Sequence, residues 1–261
     1  MKAIILSISS DIGCELAKAL KKKGYEVYGT YNKTKPKINL KQENLLKLSI
    51  KNYGSSEYDN WIRSIGEWNL FISCIGTQDP VAQFTDVVVD KWVEGIAENS
   101  TYQIAALLKA IKYRSKDPIS SIIFFAGGGT NSATPFYSAY NLGKISLIKS
   151  IELLDYEIED AKFSILGPGW VKTKIHNSTL IAKEKAGSNY IKTIKMMSSE
   201  KNFNPIEKVI EDTFKIISLP KHLVGGRNFS SVHDEITAEN LTRLKILDND
   251  FYKLRRKLND K

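Results

Sequence analysis

Short apolar runs alternate with amphipathic stretches along the chain, and this alternation constrains the fold more than any other feature. Neighbouring parallel strands need long connections, and a helix supplies one while covering a face of the sheet. Strands are expected at Ala3–Ser7, Glu26–Tyr31, Leu45–Leu48, Leu70–Ser73, Ser121–Phe125, Phe163–Leu166 and Leu223–Phe229. Helices are expected at Ile12–Lys23, Tyr58–Ile65, Lys91–Tyr113, Ser138–Glu157, Pro205–Ile217 and Glu239–Leu258. The 261 residues suit one large domain better than two small ones. The expectation is a doubly wound parallel α/β sheet over residues 1–261, with 239–258 as a C-terminal helix. Residues 174–204 are polar and rich in Lys and Ser, and form either a substrate lid or an ordinary surface connection.

Composition narrows the function classes. No apolar run reaches the roughly 18 residues of a membrane span, and the start Met1-Lys2-Ala3-Ile4-Ile5-Leu6 is too short for a secretory segment. Cys14 and Cys74 are the only cysteines, which suggests neither a disulfide framework nor a metal cluster. A cytoplasmic protein without metal or membrane association is expected. The net charge of +9 comes from lysines scattered through every segment, with no aromatic-plus-basic motif, so nucleic acid is not an expected partner. Such a surface can still help to collect an anionic small molecule.

Two local patterns carry chemistry. Tyr140 and Lys144 are four residues apart, on one face of an expected helix. An ammonium placed there can lower the pKa of a phenol from its ordinary value near ~10 and make it a usable acid or base. The first strand runs into Ser7-Ile8-Ser9-Ser10-Asp11-Ile12-Gly13 and then a helix. A strand, tight turn and helix start present backbone N–H groups to a pyrophosphate. Of three glycines usual in such a turn only Gly13 is present; Ser7 and Asp11 take the other places, with Asp11 suited to be the N-cap.

Further segments match in order, and with the pair they resemble the classical short-chain dehydrogenase/reductase (SDR) family over nearly the whole chain. The family's Thr-Gly-x-x-x-Gly-x-Gly corresponds to Leu6–Gly13, its Asn-Asn-Ala-Gly to Ser73-Cys74-Ile75-Gly76, and its catalytic asparagine to Asn99. Its Tyr-x-x-x-Lys is intact at Tyr140 and Lys144, and its Pro-Gly followed by a threonine is intact in Gly167-Pro168-Gly169-Trp170-Val171-Lys172-Thr173. The resemblance implies a Rossmann fold, a homodimer or homotetramer, and hydride transfer between a nicotinamide dinucleotide and a carbonyl. It implies Tyr140 as proton donor, Lys144 as ligand of the nicotinamide ribose, and Asn99 as anchor of a proton-relaying water. Asn99 could otherwise satisfy backbone groups within its helix. Cofactor contacts are expected at Ser7, Ser9, Ser10, Asp11, Ile12, Gly13, Asn32, Lys33, Ser49, Ile50, Cys74, Ile75, Gly76, Tyr140, Lys144, Pro168, Gly169, Val171 and Thr173.

The family's catalytic serine ends the fifth strand, in the window that here reads Phe125-Ala126-Gly127-Gly128-Gly129, without a hydroxyl. Relatives with a Ser-Gly-Gly-Gly turn would place it at Ala126; Thr130 or Ser132 could substitute. A dinucleotide-binding member with weak or no turnover, acting as a sensor or partner subunit, is the alternative reading. The end of the second strand, Tyr31-Asn32-Lys33, lacks the carboxylate of NAD binders. Lys33 can pair a 2′-phosphate, which favours NADP(H) over NAD(H), although it could equally be a solvated loop lysine.

Lys172, Lys174, His176, Lys183, Lys185, Lys192 and Lys195 suit an anionic substrate if they face inward, such as a phosphate- or nucleotide-linked sugar; otherwise they form a solvated face. The segment Leu223-Val224-Gly225-Gly226-Arg227-Asn228-Phe229 with the tail after it resembles reductases of surface-polysaccharide sugar synthesis. Trp170 would either wall the pocket or belong to the core. The tail through Leu241, Leu244, Phe251, Leu254 and Leu258 has apolar residues at helical spacing and would pack on its own domain or a sister subunit.

Overall fold

Seven strands, all parallel, stand in the order β3-β2-β1-β4-β5-β6-β7 in a computed structural model that describes residues 1–129 and 131–256. The first half comprises β1 (Lys2–Leu6), α1 (Asp11–Lys22), β2 (Glu26–Tyr31), β3 (Leu45–Lys47), α2 (Ser56–Ile65) and β4 (Leu70–Ser73). Then follow α3 (Val89–Asn99), α4 (Thr101–Ala110), β5 (Ser120–Phe125), α5 (Ser138–Glu157) and β6 (Ala161–Gly167). The chain continues through α6 (Asn177–Ala182), α7 (Ser188–Met197), α8 (Ile206–Ser218), α9 (Lys221–Val224), β7 (Arg227–Ser230) and α10 (Ala238–Leu247).

Period-2 alternation in the strands divides the core into two layers. Ala3, Ile5, Ile72 and Ile123 pack with Leu16 and Leu20 of α1 and Val209 and Ile216 of α8. Ile4, Leu6, Phe71, Ile122 and Phe124 pack on the other face with Tyr58 and Ile62 of α2, Leu107 of α4 and Leu147 and Ile151 of α5. Both faces of the sheet are covered, which is why its strands read as unbroken apolar runs.

Three expectations about the elements need correction. The helix expected over Lys91–Tyr113 is two helices, because Ser100 adopts φ −144° and ψ −79°. The strand expected over Leu223–Phe229 begins at Arg227; Leu223 and Val224 close α9, and Gly226 turns the chain with φ +69°. The C-terminal helix ends at Leu247 rather than Leu258, a residue outside the described part. Arg227, buried without a carboxylate partner among the described residues, explains this. Its guanidinium donates to the carbonyls of Asn249 and Phe251 and lies 3.7 Å from the Phe251 ring, while Asn228 N–H donates to Tyr252 O. The tail is thus drawn against β7 and cannot continue as a helix.

Candidate active site

The crevice that the fold offers lies at the carboxyl ends of β1 and β4, where the chain connections leave the sheet in opposite directions. After β1 the chain turns with Ser7 at φ +55°, a conformation that costs a side-chain-bearing residue more than glycine. Ser10, not Asp11, caps α1: its Oγ accepts from Gly13 N–H at 3.1 Å. A Cβ on Gly13 would lie 2.6 Å from Ser7 O, so only glycine lets the turn close so tightly. Asp11 is the first helical residue, and it and Ile12 contribute first-turn N–H groups without helical partners. Ile12 sends its side chain into the core and Ser9 is half-buried.

Beyond β4 the chain passes through Cys74, Ile75 and Gly76. Burial pushes the Cys74 thiol up, with the Ser10 hydroxyl beside it. Lys144 is only 2% exposed, and its Nζ donates to Ile75 O at 3.1 Å and Phe125 O at 2.8 Å. A Cβ on Gly76 would lie 3.6 Å from that Nζ and 3.9 Å from Asn99 Oδ1. Helices α3 and α5 bring these residues together by crossing at glycines. A Cβ on Gly143 would meet Asn99 Cβ at 2.6 Å, and one on Gly95 would meet Ala139 Cβ at 3.1 Å.

Asn99 is fully buried and its amide is engaged: Nδ2 donates to Gly95 O and Thr77 O, both at 2.8 Å, and Oδ1 accepts from Thr77 N–H. The backbone-satisfying role therefore holds for its side chain. The break at Ser100 adds a second feature, since Gln103 N–H bonds Ser100 O in place of the Asn99 carbonyl four residues back. That carbonyl is thus released from the helical ladder at Gln103.

Tyr140 is half-buried, and its hydroxyl makes no hydrogen bond to a described residue. It lies over Gly127, where a Cβ would come within 2.2 Å of Oη. The residue facing the phenol is therefore Gly127. Ala126, the expected serine position, points into the apolar layer with Ile148 and Phe124. Ser132 is exposed, and Thr130 lies outside the described residues. The expected effect of Lys144 on the phenol is also corrected. Burial, with a smaller contribution from Tyr137, pushes Tyr140 up to about 12, and burial brings Lys144 down to about 8. The ammonium is engaged by two carbonyls, so desolvation governs both groups.

Lys144 is charged below about pH 8 and neutral above. We expect kcat/KM for carbonyl reduction to be level below that value and to decline as the ammonium is lost above it; a pH–rate profile still level one unit higher would contradict the role of its charge.

The remaining expected residues ring the crevice unevenly. Asn32 and Lys33 are exposed at the end of β2, and Ser49 and Ile50 are half-buried after β3, with Ile50 packed on the core. Gly169 has φ +72°, and a Cβ there would strike Val232 at 2.4 Å. Pro168 O accepts from Asn204 at 2.7 Å. The Val171 side chain belongs to the core, leaving only its backbone for a ligand. Thr173 is half-buried at the start of a 3-10 turn, Lys174–His176.

That turn comes down on the crevice in a way the sequence did not signal. Ile175 Cδ1 is 3.5 Å from where a Gly76 Cβ would be, and Lys174 N–H donates to Asp11 Oδ2 at 2.9 Å. Ser178 donates to Asp79 at 3.0 Å, and Thr179 joins Gln78 at 2.8 Å and Tyr137 at 2.7 Å. Trp170 stacks on His176 with centroids 4.9 Å apart and has Lys192 over its ring, so it packs the root of this segment.

A cavity of about 830 Å³ lies between α3, the loop after β4 and α6. Lys33, Lys91, Lys183 and Lys185 line it, and so do Asp79, Glu94, Glu98 and Glu184. The two signs balance, so the expected preference for an anion has no excess of positive charge behind it. Of the other expected lysines, Lys172 pairs with Glu200 and Lys174 with Asp11.

The fit of these residues to a nicotinamide dinucleotide can be judged from the crevice itself. The close turn at Gly13, the side-chain-free Gly76 and the buried ammonium beside it suit a pyrophosphate and a ribose. Asp11 is the one group at odds with a phosphate. A parallel sheet with a glycine-anchored turn at its switch point, and a tyrosine and lysine above it, defines a dinucleotide-dependent oxidoreductase. A family model described as enoyl-(acyl carrier protein) reductase matches residues 8–199, and the chain belongs to the short-chain dehydrogenase/reductases.

Solved structures are similar at low identity. A short-chain dehydrogenase/reductase from Saccharomyces cerevisiae is 17% identical with a TM-score of 0.76, covering 91% of this chain and 98% of that one. The ligand-free aldohexose dehydrogenase of Thermoplasma acidophilum is 14% identical with a TM-score of 0.73, covering 91% and 97%. A small-chain dehydrogenase in complex with NADPH is 14% identical with a TM-score of 0.70, covering 88% and 95%. No curated protein sequence matches the chain. No helix among the described residues is long and apolar enough to cross a membrane.

Proposed function

We propose that the protein reduces a ketone to a secondary alcohol on a polar small molecule, with NADPH preferred to NADH. The observation that carries this reading is the Tyr140 hydroxyl at the crevice, without a hydrogen-bond partner among the described residues and one helical turn from a buried Lys144 ammonium. A phenol held at about 12 keeps its proton at neutral pH, so it is available to donate to a developing alkoxide. The bound dinucleotide supplies the hydride. Tyr140 gives its proton to the developing alkoxide, Lys144 holds the ribose hydroxyls, and a water on the Asn99 carbonyl returns a proton through Lys144. The first-turn N–H groups of Asp11 and Ile12 and the hydroxyls of Ser9 and Thr173 would hold the pyrophosphate.

Residues 174–204 act as a lid in this reading, and the full chain 1–261 as one domain. The large cavity, polar and of mixed charge, supports a polar substrate; within that class a nucleotide-linked keto sugar of surface-carbohydrate synthesis is the candidate to test first. A cytoplasmic homodimer or homotetramer completes the proposal, and sedimentation measures its size. The test of function is dinucleotide oxidation across a panel of keto-sugar nucleotides and simple ketones. NADPH is expected to bind more tightly than NADH, and Lys33→Ala to narrow the difference. Equal affinities for the two in a fluorescence titration of the unaltered protein would remove the Lys33 argument.

One observation favours a second reading, in which the protein binds the dinucleotide without turnover. With Gly127 against the phenol, there is no side-chain donor for the substrate oxygen at this position. Loss of a comparable donor costs roughly 2.7–4 kcal/mol of transition-state stabilisation. Binding with no oxidation by any ketone in the panel would select this reading.

A further inference from the structure

We propose that Lys174 is a phosphate ligand of the dinucleotide and that Asp11 is a built-in competitor that holds it until the phosphate arrives. The proposal rests on the dinucleotide-binding reading above and adds to it a residue and a control. Asp11 and Lys174 are far apart in sequence, yet they meet across the mouth of the crevice. Asp11 Oδ2 accepts from Lys174 N–H at 2.9 Å, and Oδ1 lies 3.7 Å from the Lys174 ammonium. One carboxylate thus engages both the backbone donor and the charge of the same residue.

The position of that carboxylate gives the contact its meaning. Asp11 opens α1, whose exposed first-turn N–H groups and dipole favour an anion. A pyrophosphate bound at this turn would meet the same partners. Asp11 therefore occupies, within the chain, the electrostatic place of the ligand. While it does so, the 3-10 turn stays down on the crevice, with Ile175 against Gly76. Ser178 on Asp79 and Thr179 between Gln78 and Tyr137 hold the next residues of the same strap. The competition belongs to the Asp11 end, since there the carboxylate lies at the helix start and engages both a backbone N–H and an ammonium, whereas Asp79 accepts the Ser178 hydroxyl. Once the phosphate replaces the carboxylate, Lys174 N–H and Nζ serve it instead. The apparent affinity of the free protein is lowered by the fraction of molecules in which Asp11 still holds the strap.

The experiment uses the full chain, titrated with NADPH by fluorescence, and hydrogen exchange of the stretch around Lys174 without dinucleotide. Asp11→Ala is expected to speed exchange at Lys174 and Ile175 and to tighten NADPH roughly tenfold. Asp11→Asn, which keeps an acceptor but loses the charge, is expected to fall between. Lys174→Met keeps the backbone donor and loses the ammonium, so it should weaken NADPH several-fold, and more in the Asp11→Ala background than alone. An Asp11→Ala protein that binds NADPH as weakly as the parent, or more weakly, overturns the competition. An unchanged affinity in Lys174→Met on that background overturns the ligand assignment. Failure of every form to bind either dinucleotide would instead overturn the functional reading, and this proposal with it.

Discussion

Tyr140→Phe is expected to bind NADPH as tightly as the parent and to lose turnover by a factor of roughly 10²–10⁴. The substitution removes one oxygen and leaves the ring, so whatever the ring packs against is retained. The lost hydroxyl has no hydrogen-bond partner among the described residues, and folding stability should not fall. Burial has already raised the phenol to about 12, so the native group carries a proton throughout the neutral range, and phenylalanine has none to give. The two measurements separate the readings. A large loss of turnover with intact binding assigns the proton to Tyr140. Full turnover in the variant would place the proton donor elsewhere, and Lys144, engaged by two carbonyls, would have to be reconsidered. If the parent binds but does not turn over, the sensor reading stands.

Much of the fold was legible because its signals are local. Strands Glu26–Tyr31 and Leu70–Ser73 and helix Ser138–Glu157 have the bounds expected from their apolar runs and flanking breakers. The Tyr140 and Lys144 pair was legible for the same reason, since helical spacing alone sets which residues share a face. What escaped were properties fixed by distant neighbours. The spacing could not reveal that Lys144 bonds Ile75 and Phe125, or that desolvation would outweigh the expected effect of the ammonium on the phenol. No Gly or Pro marks the break at Ser100, and the end of α10 combines a local signal, the Asp248-Asn249-Asp250 turn, with a distant one, Arg227. Ala126 is different, because a signal existed. Continuing the strand alternation from Ile122 and Phe124 puts Ala126 in the apolar layer, while the contact of Gly127 with the phenol is set by the turn after β5, which alternation does not reach.

That placement makes Gly127→Ala the most damaging change expected outside Tyr140 and Lys144. The added methyl would sit 2.2 Å from Tyr140 Oη and 2.5 Å from its Cζ, far inside contact distance. An aromatic side chain has two torsions and no flexible end, so the ring has to move by about the overlap. Misplacing a reacting group by about 1 Å can lower turnover about 100-fold, and that is the loss we expect in kcat. Gly127 does not have a left-handed φ, so the backbone accepts alanine, and thermal unfolding should change little. Gly127→Ser makes the same steric demand but adds a hydroxyl beside the displaced phenol. It should recover part of what alanine loses, and the ratio of the two variants measures what a side-chain donor contributes here. Ala126→Ser is the control: its hydroxyl would enter an apolar layer, lowering stability by about 1 kcal/mol while leaving kcat unchanged. Full activity in Gly127→Ala would mean that the phenol does not work from the position it holds against this glycine. Improved turnover in Ala126→Ser would return the missing serine to that residue and reverse the assignment of the two positions.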